Sequence, residues 1–209
     1  MGVWLYALGV DATAAEIRVL GCLIEKQRTT PDQYPLSLNT LRLACNQSTS
    51  RDPVVQYDEP TIRIALEALS RRGWVRLASG AGSRAVKYRH LLDEALSLDD
   101  DELSLLAVLM LRGPQTVAEL RQRTERLHHF DQNGVEEALS RLIGREYAGR
   151  HPNRPGERGE RYAQLLGSDQ WEPELMEPPR REDTDLADRV TRLEDEVTRL
   201  WDALERREP

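Results

Sequence analysis

Nine residues between positions 51 and 89 have the types and spacing to meet a polyanion. Arg63, Arg71 and Arg72 fall within an amphipathic run that opens at Pro60 and Thr61, and Arg76, Arg84, Lys87 and Arg89 populate two short extended runs that follow it. Cationic side chains along a helix and an adjoining ribbon neutralise phosphates and release the counterions condensed on a nucleic acid. Thr61 or Arg63, near the start of the run, could reach base edges, and Arg51 in the preceding loop could touch the backbone. Glu59 and Glu67 stand in the same region. A solvated charged face is therefore the plainer alternative.

Other reactive residue types point less far. His128 and His129 are chain neighbours, so their rings diverge, and no third ligand stands at a metal-like spacing; a turn with solvated imidazoles is expected. His90 and His151 are isolated and expected to be structural. Asp99, Asp100, Asp101 and Glu102 sit where a helix should begin, and the helix dipole favours carboxylates there without any catalysis. Asp32, Tyr34, Asn39, Asn46 and Asp52 gather around an inter-helix loop. They could hold a small molecule, although satisfying backbone groups in a long loop is the simpler role. Gly80-Ala81-Gly82-Ser83 reads as a hairpin turn, not a phosphate cradle. Cys22 and Cys45 form neither a disulfide framework nor a metal pattern. The expectation is a protein that is not an enzyme and uses no cofactor and no metal.

These residues need elements to hold them. Thr13 with Glu16 three residues on is a capping box for a helix carrying Ile17, Leu20, Leu23 and Ile24, and the proline-rich stretch Thr29–Pro35 ends it. Ser37 caps a short helix with Leu38, Leu41, Ala44 and Cys45 on one face, ending near Asn46. After an irregular segment from Ser48 to Glu59, Ile62, Ala65, Leu66 and Leu69 form the stripe of a second helix, which Gly73 stops. Trp74–Leu77 and Ala85–Arg89 then make a hairpin around the glycine-rich turn at 79–83. Helix, loop, helix and ribbon in that order predict a winged helix-turn-helix over residues 13–92, with the helix from Thr61 to Arg72 as its reader and the ribbon as its wing.

The order recurs over residues 93–167. A helix from about Glu102 to Arg112 stops at Gly113-Pro114, Thr116 caps Val117–Thr124, and Val135, Ala138, Leu139 and Leu142 mark a third helix. Tyr147–His151 and Arg161–Leu165 would be its wing, with 152–159 as the tip. Ala65–Leu69 corresponds to Ala138–Leu142 at an offset of 73, Lys87–Leu92 to Arg161–Leu166 at 74, and Ser37 to Thr116 at 79, so one module is used twice with different inter-helix loops. Residues 168–184 read as a linker. In 185–209, Leu186, Val190, Leu193, Val197, Leu200 and Leu204 alternate by four and three, a heptad seam with valine mostly at a and leucine at d. This favours a parallel two-stranded coil and hence a homodimer, with Arg189 placed to meet a partner's Glu194; the same stripe could instead fold back on its own chain. The fold class expected is mainly α with small β-hairpin wings, two tandem winged helix-turn-helix domains plus a C-terminal coiled-coil helix.

A net charge of −7 argues against a generic nucleic-acid binder, but residues 13–92 carry 12 basic and 7 acidic side chains and are the only basic stretch. The second module begins its third helix Gly134-Val135-Glu136-Glu137, which would aim two carboxylates at phosphates. No apolar run approaches the roughly 20 residues of a membrane span. Residues 1–12, with apolar Val3–Leu8 and no basic n-region, read as an N-terminal arm of a cytoplasmic protein with no membrane partner.

Several strings together carry a resemblance: Gly21–Gln27, Thr29–Asn39, Ala44–Gln47, Arg51–Val54, Gly82–Arg84, and Arg112–Thr116 followed by Arg123–His128. Over roughly residues 13–166 the chain resembles the YceH family of uncharacterised bacterial cytoplasmic proteins. The resemblance implies two tandem winged-helix domains, often followed by a coiled segment, and brings no assigned activity. Ser48 and Ser50 stand where that family usually has lysine and asparagine, which weakens any phosphate-contact role for the loop. Two functions are expected from these readings. The first is double-stranded DNA binding by the basic first module, as in a transcriptional regulator; the alternative is a non-enzymatic protein-protein interaction adaptor built on the same modules.

Overall fold

The computed structural model describes residues 12–78, 86–151 and 159–167. All of them belong to one compact unit that ends at Trp171; Glu172–Pro209 form a separate unit outside the described residues, as do the heptad positions Leu186, Val190, Leu193, Val197, Leu200 and Leu204. The chain is mainly helical with small antiparallel strand pairs. In order it runs α1 (Ala14–Thr29), a 3-10 turn (Pro31–Gln33), β1 (Leu36–Ser37), α2 (Leu38–Cys45), α3 (Glu59–Arg71), β2 (Val75–Leu77), β3 (Lys87–His90), α4 (Leu92–Leu96), α5 (Asp100–Arg112), α6 (Val117–Thr124), α7 (Gly134–Gly144), β4 (Ala148–His151) and β5 (Arg161–Gln164).

Two helices organise the rest. α1 is buried without a break from Glu16 to Ile24, and α5 from Glu102 to Leu111. A helix apolar on every side needs neighbours on every side: α1 packs on α2 and α3, α5 on α6 and α7, and α1 and α5 pack on each other. Gly21 permits that last contact, because a Cβ there would lie 3.0 Å from side-chain carbons of Leu111 and Met110. The result is one continuous hydrophobic core shared by both halves of the repeat.

The repeat is visible in the hydrogen bonds. Thr13 caps α1, accepting from the Glu16 N–H at 3.3 Å, and Asp99 caps α5 in a capping box with Glu102. At the far end of the module, the Trp74 N–H donates to the Leu69 carbonyl and the Tyr147 N–H to the Leu142 carbonyl, both at 2.9 Å. The residue before each aromatic lies in the left-handed region, Gly73 at φ 75° and Glu146 at φ 60°. Arg72 and Arg145 lie over the Trp74 and Tyr147 rings and pair with Glu16 and Glu102 respectively. In each copy, one arginine thus ties the end of the third helix to the start of the first.

Several elements depart from the expectation. The ribbon of the first module is a three-stranded sheet of order β1-β3-β2, because Leu36 and Ser37 pair with Tyr88 and Lys87 before the chain turns into α2. A two-residue strand has too little periodicity to be seen in sequence. The second module keeps a remnant of it as a bridge between Gln115 and Tyr162 beside the β4-β5 pair. α4 is a further short helix. α3 starts two residues earlier than Thr61, since the Asp58 carboxylate accepts from the Thr61 N–H at 2.9 Å and caps it. Among the described residues, no helix is long and apolar enough to cross a membrane.

Candidate nucleic-acid interface

α3 buries Ile62, Ala65, Leu66 and Leu69 against α1 and α2 and turns Glu59, Arg63, Ile64, Glu67 and Arg71 to solvent. Its outer face therefore carries two carboxylates and two guanidinium groups. Arg63 pairs with Glu59 one turn back at 2.6 Å, with both side chains about half exposed. Such a pair contributes only about 0.3–0.5 kcal/mol and opens readily. The Thr61 hydroxyl donates to Asp58 at 2.6 Å, which holds the Asp58 carboxyl below the usual carboxylate range and commits Thr61 to the cap.

The other nominated residues separate into two groups. Arg71 ends α3 exposed and Arg76 is exposed on β2, and neither has an ion pair among the described residues. Arg89 on β3 reaches Glu94 of α4 at 2.8 Å, Lys87 lies beside it on the same strand, and Arg84 lies outside the described residues. Arg51 and Arg72 belong to the scaffold. The Arg51 side chain is 0% exposed and is clamped by Glu25, so the expected backbone contact from this loop is corrected: a guanidinium sealed inside the fold cannot meet a phosphate. Arg72 packs on Trp74 and pairs with Glu16, whose side chain is 8% exposed.

An apolar feature that the charge pattern does not announce lies in the same half. Leu43, Val54, Ile64, Leu77 and Val86 are the exposed large hydrophobics among the described residues, and all five lie in the first half of the repeat. Ile64 was detectable as an isoleucine off the Ile62-Ala65-Leu66-Leu69 stripe. The equivalent helix α7 exposes Glu136, Glu137, Ser140 and Arg141; Arg141 is drawn to Asp101 and Glu102 on α5.

Two members of the polar cluster around the inter-helix loop, Asn46 and Tyr34, bond backbone groups, while Asn39 accepts from the Arg42 side chain at 3.2 Å. Asn46 accepts from the Tyr57 N–H and donates to the Tyr57 carbonyl, at 2.9 and 2.8 Å. The Tyr34 hydroxyl accepts from the His90 N–H at 2.8 Å, and burial pushes its pKa up to about 12. His90 is buried, with Nε2 2.6 Å from the Gln27 amide oxygen. His128 stacks edge-on against Phe130 while His129 reaches Glu125. Among the described residues, no group of three His, Cys, Asp or Glu side chains is gathered as a metal ion would need.

Comparison with known proteins places the chain. A family model described as "Protein of unknown function, DUF480" matches residues 12–157. A UPF0502 protein of Geotalea daltonii is 50% identical over 176 residues, which span 82% of this chain and 80% of that protein. One from Azotobacter vinelandii is 50% identical over 164 residues, spanning 78% and 73%, and one from Serratia proteamaculans is 42% identical over 203 residues, spanning 93% and 94%. Half-identity across most of both chains leaves no room for chance similarity, and this chain belongs to the DUF480 family, the UPF0502 proteins of bacteria.

Proposed function

We propose that each half of the repeat is a winged helix-turn-helix and that the first half binds double-stranded DNA, with α3 in a major groove and the β2-β3 ribbon on the adjacent backbone, as in a transcriptional regulator. The observation that carries this reading is the pair of unpaired cations, Arg71 at the end of α3 and Arg76 on β2, beside the outer face of a helix that no other described element covers. Arg63 and Arg89 join them by exchanging weak surface carboxylate pairs for phosphates, and Lys87 lies two residues before Arg89 on β3. Five cations released in this way predict a slope of log affinity on log salt of about −4 to −5, or a few hundred-fold weaker binding between 50 and 200 mM salt. Fluorescence anisotropy with random duplex at the two salt concentrations tests it. Arg71→Glu with Arg76→Glu should abolish binding, and a folded protein that ignores duplex DNA at 50 mM salt refutes it.

The five exposed apolar side chains of the first half favour a second reading, a protein-protein interaction adaptor. Under that reading Ile64→Asp and Leu77→Asp abolish partner capture, while charge reversal at Arg71 and Arg76 leaves it intact. In both readings the heptad at 185–209 is the dimerising element.

A further inference from the structure

A cleft of about 70 Å3 opens between the two halves of the repeat, lined by Glu25 and Thr29 of α1, Ser50 of the α2-α3 loop, Arg112 at the end of α5, Arg123 of α6 and Arg126 just beyond it. A water needs about 10–15 Å3 by this measure, so there is room for several waters or for one oxyanion in their place. Three guanidinium groups meet one carboxylate here, and that carboxylate is already taken. Both Glu25 oxygens accept from Arg51, at 3.0 and 2.6 Å. Glu119, the carboxylate paired with Arg123 among the described residues, lies at 3.4 Å from it and closer, at 2.9 Å, to Arg161. Arg112 and Arg126 have no ion pair among the described residues.

The wall holding Ser50 is positioned by design of the chain. The loop between α2 and α3 is longer than its counterpart between α6 and α7, and it folds back so that the Asp52 N–H donates to the Leu111 carbonyl at 2.8 Å. Ser50 is held at φ 59°, a conformation that costs a side-chain-bearing residue roughly 1–2 kcal/mol. The longer loop of the first copy thus brings Ser50 to a cleft whose arginines all come from the second copy. Leu111 and Leu127 line it too, lowering the local dielectric and strengthening any charge pairing inside.

We propose that this cleft is a binding site for a small phosphate-bearing anion, held by Arg112, Arg123 and Arg126 with the Ser50 hydroxyl as a further candidate donor. Arginine forks match the several acceptor oxygens of a phosphate, and among the described residues Arg112 and Arg126 have no carboxylate to neutralise them. Partial burial, then the like charges of Arg123 and Arg51, depress the Arg112 pKa against the opposing pull of Glu25 and Asp52. An arginine placed at such a disadvantage lowers stability until an anion arrives.

The full-length protein is titrated with inorganic phosphate and, separately, with a nucleoside monophosphate, by calorimetry and thermal shift at constant ionic strength in chloride. The expected result is saturable binding of at least one of them, weakened tenfold or more by Arg112→Gln or Arg126→Gln and unchanged in Arg42→Gln on α2. Tighter binding of the nucleotide identifies a phosphorylated metabolite as the ligand, and equal binding identifies free phosphate; both support the site. Ligand-free Arg112→Gln should melt at or above the parent temperature, because it removes a repelled charge. No saturable response to either anion overturns the proposal, as does an equal response in Arg112→Gln. A ligand-free Arg112→Gln that melts several degrees lower also overturns it, since Arg112 would then be structural.

Discussion

Replacing Arg51 with methionine keeps most of the volume and removes the charge, and the structure sets the cost. All five guanidinium N–H donors are used: Nε to the Ala44 carbonyl at 3.1 Å, one terminal nitrogen to Glu25 at 3.0 Å and the Ser50 carbonyl at 2.8 Å, the other to Glu25 at 2.6 Å and Gln47 at 3.0 Å. The side chain is 0% exposed and its partner Glu25 15%. Removing one member of a buried pair leaves the other charge unpaired in a medium that solvates it poorly, a loss of about 3–5 kcal/mol. For a domain of this size, about 1 kcal/mol corresponds to roughly 2–4 °C in Tm, so Arg51→Met should melt about 10 °C lower. Arg51→Met with Glu25→Leu should recover a substantial part, because the stranded carboxylate is gone. Urea unfolding of the parent, both single variants and the double variant gives the coupling energy directly. A loss under about 1 kcal/mol, or a double variant no better than Arg51→Met, would refute the claim that this residue is a structural keystone.

Three further outcomes follow from the same geometry. Glu146 occupies the left-handed position that Gly73 fills in the other copy, so Glu146→Gly should raise Tm by up to about 3 °C, the relief of strain exceeding the added freedom of the unfolded chain; an unchanged or lower Tm counts against the repeat alignment. Burial, opposed by Asp93, holds the His90 pKa down at about 4, below its ordinary value near 6.5. The native state therefore excludes a proton that the unfolded chain binds: the stability contribution is complete above pH 6.5 and is lost as pH falls from about 6.5 towards 4, up to about 3 kcal/mol in all. Thermal melts at pH 7.5 and 4.5 should show a smaller acid-induced drop in His90→Gln than in the parent. Leu193→Asp with Leu200→Asp should convert a dimer into a monomer in sedimentation equilibrium, and a parent that is already monomeric removes the heptad from the proposal.

Much of the local structure could be read from residue types because local chemistry decides it. Ser37 and Thr116 cap their helices as expected, and Thr116 with Glu119 completes a capping box at the start of Val117–Thr124. What escaped depended on contacts distant in sequence. β1 exists only because Tyr88 and Lys87 come alongside Leu36 and Ser37, and nothing within two residues announces that. The burial of Arg51 required α1 and the α2-α3 loop to be brought together across 26 residues of chain. The cleft arginines could not be grouped from sequence for the same reason: Arg112 and Arg123 lie on different helices, Arg126 lies just beyond the second, and Ser50 is more than 60 residues from Arg112 along the chain.

The duplication itself decides how the basic charge of residues 13–92 should be counted. Arg72 and Arg145 do the same work in the two copies, each lying over the aromatic that follows a left-handed residue and reaching the glutamate three residues after the cap of its own first helix. A contact that recurs in the copy with Glu136 and Glu137 on its third helix is one that the fold itself uses. Arg51 cancels against Glu25 and Arg72 against Glu16, while Arg18 is buried with its guanidinium on the carbonyls of Cys45 and Pro53. Three of the twelve basic residues in this stretch are thereby withdrawn from any interface, together with two carboxylates. The accessible positive excess falls only slightly, and it moves to the end of α3 and the ribbon. A protein that used its whole basic complement would show a salt slope near −10, whereas the exposed subset alone gives about half that. The slope, more than the affinity, therefore distinguishes an interface confined to α3 and the ribbon from diffuse attraction to the whole basic module.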